Sequence, residues 1–209
     1  MSPKPTLLFL SPVWFSLLLL LVSSGFAKAS LPVELSATIS GNTPAYPSYE
    51  VNYFTDNDLS TDYASNGGGA STYVDFQFSG AVTVGSAIYT DRTSSGFFNG
   101  SYWGGPHDNV TSYKLIFSNE PTFSSVLWEQ EYASPGYANT DAPALVNGGY
   151  GVTAQFVRWQ VTATDGGNPG GAEIHFFTPE IVPEPSIGAL CCLGVCLFAR
   201  SRGQRQMRQ

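Results

Sequence analysis

The stretch TYVDFQFS, residues 72–79, alternates apolar and polar side chains with a period of two. Side chains of an extended chain point to opposite faces in turn, so this period predicts a strand with one face buried and one face in water. Val, Tyr and Phe, which dominate the stretch, are residues that β-sheets favour. The expected inner face carries Val74, Phe76 and Phe78, and the outer face carries Tyr73, Asp75 and Gln77.

The same pattern recurs along the chain between segments rich in glycine and asparagine. Ser79-Gly80 is predicted to be a turn that leads into a second strand. Short strands separated by such turns predict a β-sandwich or barrel, with Trp128, Phe156 and Trp159 in its core. The further strand candidates are VTVGSAIYT (82–90), SYKLIFS (112–118), VLWEQEY (126–132), QFVRWQVTAT (155–164) and AEIHFF (172–177), and the turn-rich segments are 66–69, 104–106, 147–149 and 165–171.

The N-terminus has the pattern of a secretory signal peptide. Lys4 precedes an apolar stretch from Leu7 to Val22, and Ala27-Lys28-Ala29 forms an A-x-A cleavage pattern. We therefore expect signal peptidase to cut after Ala29, and residues 1–29 to form an apolar signal helix. The alternative is an uncleaved membrane anchor.

The C-terminus combines a polar motif, an apolar run and a basic tip. Pro183-Glu184-Pro185 precedes the apolar residues 187–199, and Arg200 is the first of four arginines that follow. Thirteen residues are fewer than the about twenty that a membrane-spanning helix usually needs. This order resembles the PEP-CTERM sorting signal of Gram-negative bacteria. The resemblance implies that an exosortase-type membrane transpeptidase recognises residues 182–209; the alternative is a plain tail anchor.

The remaining body, residues 30–181, has the size of one domain. All three cysteines (Cys191, Cys192 and Cys196) lie in the C-terminal run, so the body has no disulfide. Fifteen acidic and three basic residues give the body a net charge of about −12. Such a surface disfavours nucleic acid and anionic lipid as partners and is compatible with neutral sugars, cations or basic proteins.

The segment FTDNDLSTDYAS, residues 54–65, concentrates oxygen-bearing side chains. Asp56, Asp58 and Asp62 alternate there with asparagine, serine and threonine. Ca²⁺ binds six to eight oxygen ligands, and a tight loop of this kind can supply several of them. The segment lacks the glycine and the glutamate of an EF-hand loop. A solvated acidic turn is the alternative interpretation.

Five blocks of the body, taken in order, resemble discoidin domains, which are also called coagulation factor 5/8 type C domains. The loop at 54–65 is similar to the D-G-D-x-x-T-x-W loop of that family. The resemblance implies an all-β fold, a jelly-roll β-sandwich of the galactose-binding-like type that many carbohydrate-binding modules share. Here the sandwich is flanked by the N-terminal signal helix and a C-terminal hydrophobic helix. The other four blocks are STYVDFQFSGAVTVGSAIYTDR (71–92), VTSYKLIFSNEPTF (110–123), AQFVRWQVTAT (154–164) and GGAEIHFF (170–177).

The resemblance also implies a structural calcium ion. In many carbohydrate-binding members the ligands come from the loop and from the last strand, and those positions here are Asp56, Asp58, Thr61 and Glu173. Two positions depart from the family pattern. Asn57 replaces glycine and must accept the backbone angles that the glycine took; Asn tolerates the left-handed region better than most residues. Tyr63 replaces tryptophan.

The segment 93–109 is a long, aromatic connection between two strands. Aromatic faces can stack on pyranose rings, and polar neighbours can bond sugar hydroxyls, so this segment is the candidate ligand site. The alternative is that its aromatic residues cap one end of the sandwich, and that Arg92 pairs with Asp91 or Asp108. The candidate ligand-binding residues are Arg92, Phe98, Tyr102, Trp103, His107 and Asp108.

The sequence offers no catalytic constellation. It has no G-x-S-x-G, H-E-x-x-H or phosphate-loop motif, and His175 alternates with apolar residues as an outward-facing strand residue would. We therefore predict an exported, non-catalytic module that binds extracellular polysaccharide in a biofilm matrix. The protein is expected to be held briefly in the inner membrane and then to reach the cell surface or matrix. The alternative is a structural or adhesion protein of the matrix without a specific glycan ligand.

Overall fold

A computed structural model of the chain describes residues 30–93, 97–98, 101–102, 108–134, 136 and 140–180, with the backbone alone at 97–98 and 101–102. Residues 31–180 form one compact unit. The predicted signal peptide and the predicted sorting segment lie outside the described residues. Within the described ranges, no helix has the length and apolar character needed to cross a membrane.

The described chain is built almost entirely of β-strands, with three short 3-10 helices between them. Those helices are η1 (Val51–Thr55), η2 (Gly69–Ser71) and η3 (Val146–Gly149). The strands are β1 (Glu34–Leu35), β2 (Thr38–Asn42), β3 (Tyr63–Ala64), β4 (Tyr73–Val84), β5 (Ser86–Thr90), β6 (Phe97–Phe98), β7 (Ser101–Tyr102), β8 (Val110–Ser118), β9 (Val126–Ala133), β10 (Ala144–Leu145), β11 (Val152–Thr164), β12 (Gly170–Gly171) and β13 (Glu173–Phe177).

Two antiparallel sheets pack face to face as a sandwich. One sheet has the order β1-β13-β5-β10 and the other has the order β2-β4-β11-β8-β9. The pairs β12-β3 and β6-β7 form two small two-stranded sheets. The order confirms the predicted all-β sandwich and places β9 and β10 at edges of the two large sheets.

The period of two assigns the inner faces correctly. On β4, Val74, Phe76 and Phe78 are at most 1% exposed, as predicted. The next strand of the same pattern, β8, buries Tyr113 and Leu115 in the same way. Alternate side chains from both sheets thus meet in one continuous core.

Aromatic rings fill the centre of that core. The ring of Phe54 lies 5.1 Å from that of Trp159 and 6.0 Å from that of Tyr89, both edge-on. Edge-to-face pairs of this kind are worth about 0.5–1.5 kcal/mol beyond their burial. Trp159 and Phe156 are buried as predicted, whereas Trp128 is only partly buried because it belongs to the edge strand β9.

The predicted turn at Ser79-Gly80 is wrong, because β4 runs through it from Tyr73 to Val84. The pairing with β11 jumps from Gln77↔Phe156 to Val82↔Ala154, so the extra residues form a bulge in the strand. The chain turns instead at Gly85, whose amide donates to Phe177 O at 2.7 Å. A Cβ atom there would lie 2.3 Å from the Pro179 Cα atom, so only glycine fits.

Candidate functional site

The acidic loop follows η1 and is closed by its own side chains. Asp56 Oδ1 accepts a hydrogen bond from the Asp58 amide at 2.9 Å, and Asp56 Oδ2 accepts one from the Thr61 hydroxyl at 2.8 Å. Asn57 has a φ of 62°, in the left-handed region that Asn tolerates better than most residues. Tyr63 is fully buried, and its hydroxyl donates to Thr43 O at 2.8 Å. The loop therefore has a fixed shape.

Glu173 meets this loop from the start of β13. Its side chain is buried, and its Oε1 atom accepts a hydrogen bond from the Asp58 amide at 3.0 Å. Its Oε2 atom is buried without a hydrogen-bond partner among the described residues. Burial, followed by the hydrogen bond with the Asp56 carboxyl, raises the pKa of Glu173 to about 7. The fold thus brings together all four residues that the sequence nominates as metal ligands.

The Asp58 side chain forms hydrogen bonds within the loop. Its Oδ1 atom accepts from the Ser60 amide at 2.9 Å and from the Ser60 hydroxyl at 2.6 Å, and these bonds hold the pKa of Asp58 below its usual value. Only the backbone of Asp58 reaches Glu173. Over the part of the chain that the structure describes, no three Asp, Glu, His or Cys side chains are grouped to hold a metal ion.

The residues nevertheless fit a cation in one respect. Asp56 and Glu173 are two carboxyls in contact, and one oxygen of Glu173 is buried without a partner. Two adjacent carboxylates repel each other unless a proton or a cation lies between them. The pair is therefore suited to a hard cation such as Ca²⁺. Asp58 lies in the same loop and uses its Oδ1 atom to bond Ser60.

His175, expected to face outward on the last strand, is half-buried between two carboxylates. Its Nδ1 atom lies 2.6 Å from Glu34 Oε1, and its Nε2 atom lies 3.5 Å from Glu173 Oε2. No local pattern indicated this contact, because Glu34 on β1 is 141 residues away in the chain.

Arg92 organises the loops at the end of β5. It is buried, and its Nη1 atom donates to Asn168 O at 3.1 Å and lies 3.8 Å from Asp108 Oδ2. Its guanidinium stands 5.1 Å from the centre of the Tyr49 ring, a cation–π contact. The Arg92 Nε atom is 4.0 Å from Asp62 Oδ2 and has no hydrogen-bond partner within the described part of the chain.

Asp108 ties this arginine to the glycine-rich loop. Its Oδ1 atom accepts from the Asn168 amide at 2.8 Å, and its φ of 75° lies in the left-handed region. The predicted candidates Arg92 and Asp108 are therefore brought together. The cluster is completed by Tyr49, Asp62 and Asn168. Of these three, only Asp62 was indicated by the sequence, as one of the acidic residues of the 54–65 loop.

The other ligand candidates are only partly placed. Phe98 and Tyr102 lie on β6 and β7, a hairpin with the register Phe97↔Tyr102 and Phe98↔Ser101. This hairpin lies in the chain between Arg92 and Asp108. Trp103 and His107 lie outside the described residues.

The sequence matches no protein-family profile, and no curated protein matches it significantly. Solved structures do share its fold. An F5/8 type C domain from Bacteroides fragilis matches with a TM-score of 0.57 and 13% identity, over 72% of this chain and 98% of that one. The family 32 carbohydrate-binding module of NanJ from Clostridium perfringens, solved with galactose, matches with a TM-score of 0.51 and 13% identity, over 70% and 99% of the two chains.

A third similar structure is another Clostridium perfringens CBM32 domain, solved with GalNAc-β-1,3-galactose. It matches with a TM-score of 0.53 and 16% identity, over 70% of this chain and 100% of that one. At such identities the similarity establishes the fold alone. The chain therefore has the galactose-binding-like jelly-roll sandwich that the sequence predicted.

Proposed function

We propose that the body of this protein is a non-catalytic carbohydrate-binding module that acts outside the cell. The observation that carries the proposal is the cluster in which Arg92 lies between Asp62 and Asp108 at the loop end of the sandwich. Sugar hydroxyls both donate and accept hydrogen bonds, and Asp108, whose side chain is 23% exposed beside the buried Arg92, offers an acceptor for one of them. Two structurally similar domains were solved with galactose or a galactose-containing disaccharide, which is consistent with this class of ligand.

In this proposal the aromatic connection 93–109 completes the site. Phe98, Tyr102 and Trp103 supply flat rings for stacking on a pyranose face, and His107 supplies a polar contact. Asp108, held in place by the buried Arg92, would then bond a hydroxyl of the sugar. Extracellular polysaccharide is the expected partner, and the strongly acidic body makes uncharged or cationic glycans the better ligands.

A glycan array followed by titration calorimetry of the best hit tests this function. Trp103→Ala should weaken binding at least tenfold without changing the melting temperature. Tyr150→Ala is the matched control, because Tyr150 is 85% exposed outside this connection. If no glycan binds, or if Trp103→Ala binds as tightly as the wild type, the site is assigned wrongly. Calcium-dependent self-association in the absence of glycan binding would favour a structural matrix protein.

We also propose that calcium stabilises the module. Asp56, Thr61 and Glu173 would hold the ion, with Asp58 joining them. A bound Ca²⁺ would supply a positive charge that offsets the repulsion between the paired carboxyls. The orphaned Glu173 Oε2 atom supports this proposal.

The proposed route out of the cell rests on the two ends of the chain. Signal peptidase would cut after Ala29, and an exosortase-type enzyme would process the segment that begins with Pro183-Glu184-Pro185. Mass spectrometry of protein secreted by a Gram-negative host that has such an enzyme should give a product starting at Ser30 and lacking the arginine tip. Glu184→Ala should leave the C-terminus uncut, whereas the nearby Glu180→Ala should be processed normally. Processing of both variants alike would exclude the motif.

A further inference from the structure

A groove opens at the side of the sandwich where β9 and β10, edge strands of the two large sheets, approach each other. It has a volume of about 550 Å³, which is within the range of small-molecule sites. The Tyr132 hydroxyl on β9 donates to Leu145 O on β10 at 2.9 Å and holds the two walls together. Its polar and aromatic lining is Tyr113, Gln130, Tyr132, Ser134 and Asp141.

Asp141 is the unusual member of this lining. Asp141 is only 7% exposed. Neither of its carboxylate oxygens has a hydrogen-bond partner among the described residues. The Tyr113 hydroxyl is close enough to favour the charged form of Asp141 and so lowers its pKa in part. A buried carboxylate without partners costs several kcal/mol, so such a group normally has a counter-charge. Burial raises the pKa of Asp141 to about 6.

A second carboxyl stands behind Asp141 and adds to the negative potential. Asp91 is fully buried, and its Oδ1 atom accepts from the Tyr89 hydroxyl at 3.0 Å and from the Arg92 amide at 2.7 Å. Its charge further raises the pKa of Asp141. The arginine side chain does not neutralise the groove, because it is directed to Asp108 and Asn168. Among the described residues that line the groove there is no lysine or arginine.

The groove also offers an aromatic surface next to this charge. The rings of Tyr113 and Tyr132 stack with their centres 5.6 Å apart, and Tyr132 remains partly exposed. An aromatic face beside an unpaired carboxylate is a combination that attracts an organic cation, through cation–π attraction and an ion pair. Gln130 on β9 and Ser134 just after the end of β9 provide further hydrogen-bonding groups.

We propose that this groove binds a primary ammonium group on a small polar molecule, with an unacetylated amino sugar as its ligand class. The ammonium would take the counter-charge position at Asp141 while the ring of the sugar lies against Tyr132. Its volume suits a monosaccharide. This groove is separate from the loop cluster around Arg92, so the proposal does not depend on the function proposed for that cluster.

The test uses the full chain and a matched pair of probes. Glucosamine and N-acetylglucosamine share the ring, but only glucosamine carries the charge. In NMR titrations at pH 7, glucosamine should shift the amide signals of residues 130–134 and 141–145, and N-acetylglucosamine should leave them unchanged. Asp141→Asn should weaken glucosamine binding at least tenfold. Glu129→Gln, which removes an exposed carboxylate of the same strand, should bind as the wild type does.

Asp141→Asn keeps the size of the side chain and removes a buried charge, so its fold should be intact, and its melting temperature checks this directly. Equal binding of the two sugars, no binding of glucosamine, or unchanged binding by Asp141→Asn would each overturn the proposal. Ca²⁺ alone shifting the same amides and preventing glucosamine binding would also overturn it, because the groove would then be a metal site.

Discussion

The Asp58 amide donates a hydrogen bond to Glu173 Oε1 at 3.0 Å, across 115 residues of chain. This bond joins the acidic loop to the first residue of β13. The carboxyl that accepts it is buried beside the Asp56 carboxyl and has one oxygen without a partner. The Nε2 atom of His175 lies 3.5 Å from that oxygen. A cation bound between the two carboxyls would offset their repulsion and strengthen the junction.

We predict that calcium raises the melting temperature of the protein. At a concentration about 100 times the Kd, binding to the native state alone adds about 2.7 kcal/mol, or about 5–10 °C for a domain of this size. Glu173→Gln keeps an acceptor for the Asp58 amide and removes the charge, so the calcium-dependent rise should disappear. Differential scanning calorimetry with EDTA and with calcium measures both.

Glu129→Gln is the control for this experiment, since Glu129 is an exposed carboxylate that pairs with Lys114. Its calcium response should equal that of the wild type. A response that persists in Glu173→Gln would place any calcium elsewhere. No response in the wild type would leave the acidic loop stabilised by its own hydrogen bonds.

A second prediction concerns the aromatic core. Phe54 lies on η1 and packs against Trp159, Tyr89 and Phe76 at ring distances of 5.1–6.1 Å. Phe54→Ala should lower the free energy of unfolding by about 3–5 kcal/mol, because it leaves a cavity among rings that cannot close around it. Urea unfolding followed by tryptophan fluorescence measures the loss. Tyr150→Ala, at an 85% exposed position, should change it by less than about 0.5 kcal/mol.

The strands and their inner faces were predictable because the period of two is a local property. Tyr73–Val84 and Val110–Ser118 each bury the alternate side chains that the sequence indicates. The turn at Ser79-Gly80 failed for the opposite reason. Glycine and serine also suit a bulge, and only pairing with β11 decides between a turn and a bulge.

The loop residues were predictable as a set, but their individual roles were not. The family pattern named Asp56, Asp58, Thr61 and Glu173, which the fold does bring together. The sequence could not show that the Asp58 Oδ1 atom accepts hydrogen bonds from Ser60, since an Asp two residues before a serine can also remain free. The orphaned carboxylate of Asp141 has no local pattern at all. Its burial depends on which edge strands meet.

The two buried carboxyls near the groove predict how stability changes with pH. Burial raises the pKa of Asp91 and of Asp141 to about 6, above the usual 3.8. The native state therefore holds these protons more tightly than the unfolded chain does. Their stabilising contribution is complete below about pH 4 and is lost as the pH rises through about 6.

The groups that face Asp141 are Asp91 and the Tyr113 hydroxyl. The contribution of Asp141 to the pH dependence is therefore best isolated by comparing Asp141→Asn with the wild type. At pH 7 the free energy of unfolding of Asp141→Asn should exceed that of the wild type by about 1–2 kcal/mol. This gap between the two free energies should close towards pH 4. Urea unfolding in EDTA at several pH values measures the gap. A gap of the same size at every pH would show that Asp141 does not titrate in this range.

The last prediction concerns Arg158 on the outer face of the five-stranded sheet. Its Nε and Nη2 atoms donate to the two oxygens of Asp75 at 2.6 and 2.9 Å. Its guanidinium also lies between the rings of Tyr73 and Phe123, 4.4 and 4.5 Å from their centres. Arg158→Lys keeps the charge but loses the fork, meaning the two parallel hydrogen bonds to Asp75, and it also loses the planar stacking on the rings. It should therefore lower the free energy of unfolding by about 1–2 kcal/mol.

The matched control is Lys114→Ala, because Lys114 makes a single 3.1 Å contact with the exposed Glu129 and should contribute less than about 1 kcal/mol. A double-mutant cycle of Asp75→Asn with Arg158→Lys separates the ion pair from the stacking. A coupling energy near zero, together with a full loss in Arg158→Lys alone, would assign the stability to Tyr73 and Phe123. A coupling that accounts for the whole loss would assign it to the fork with Asp75.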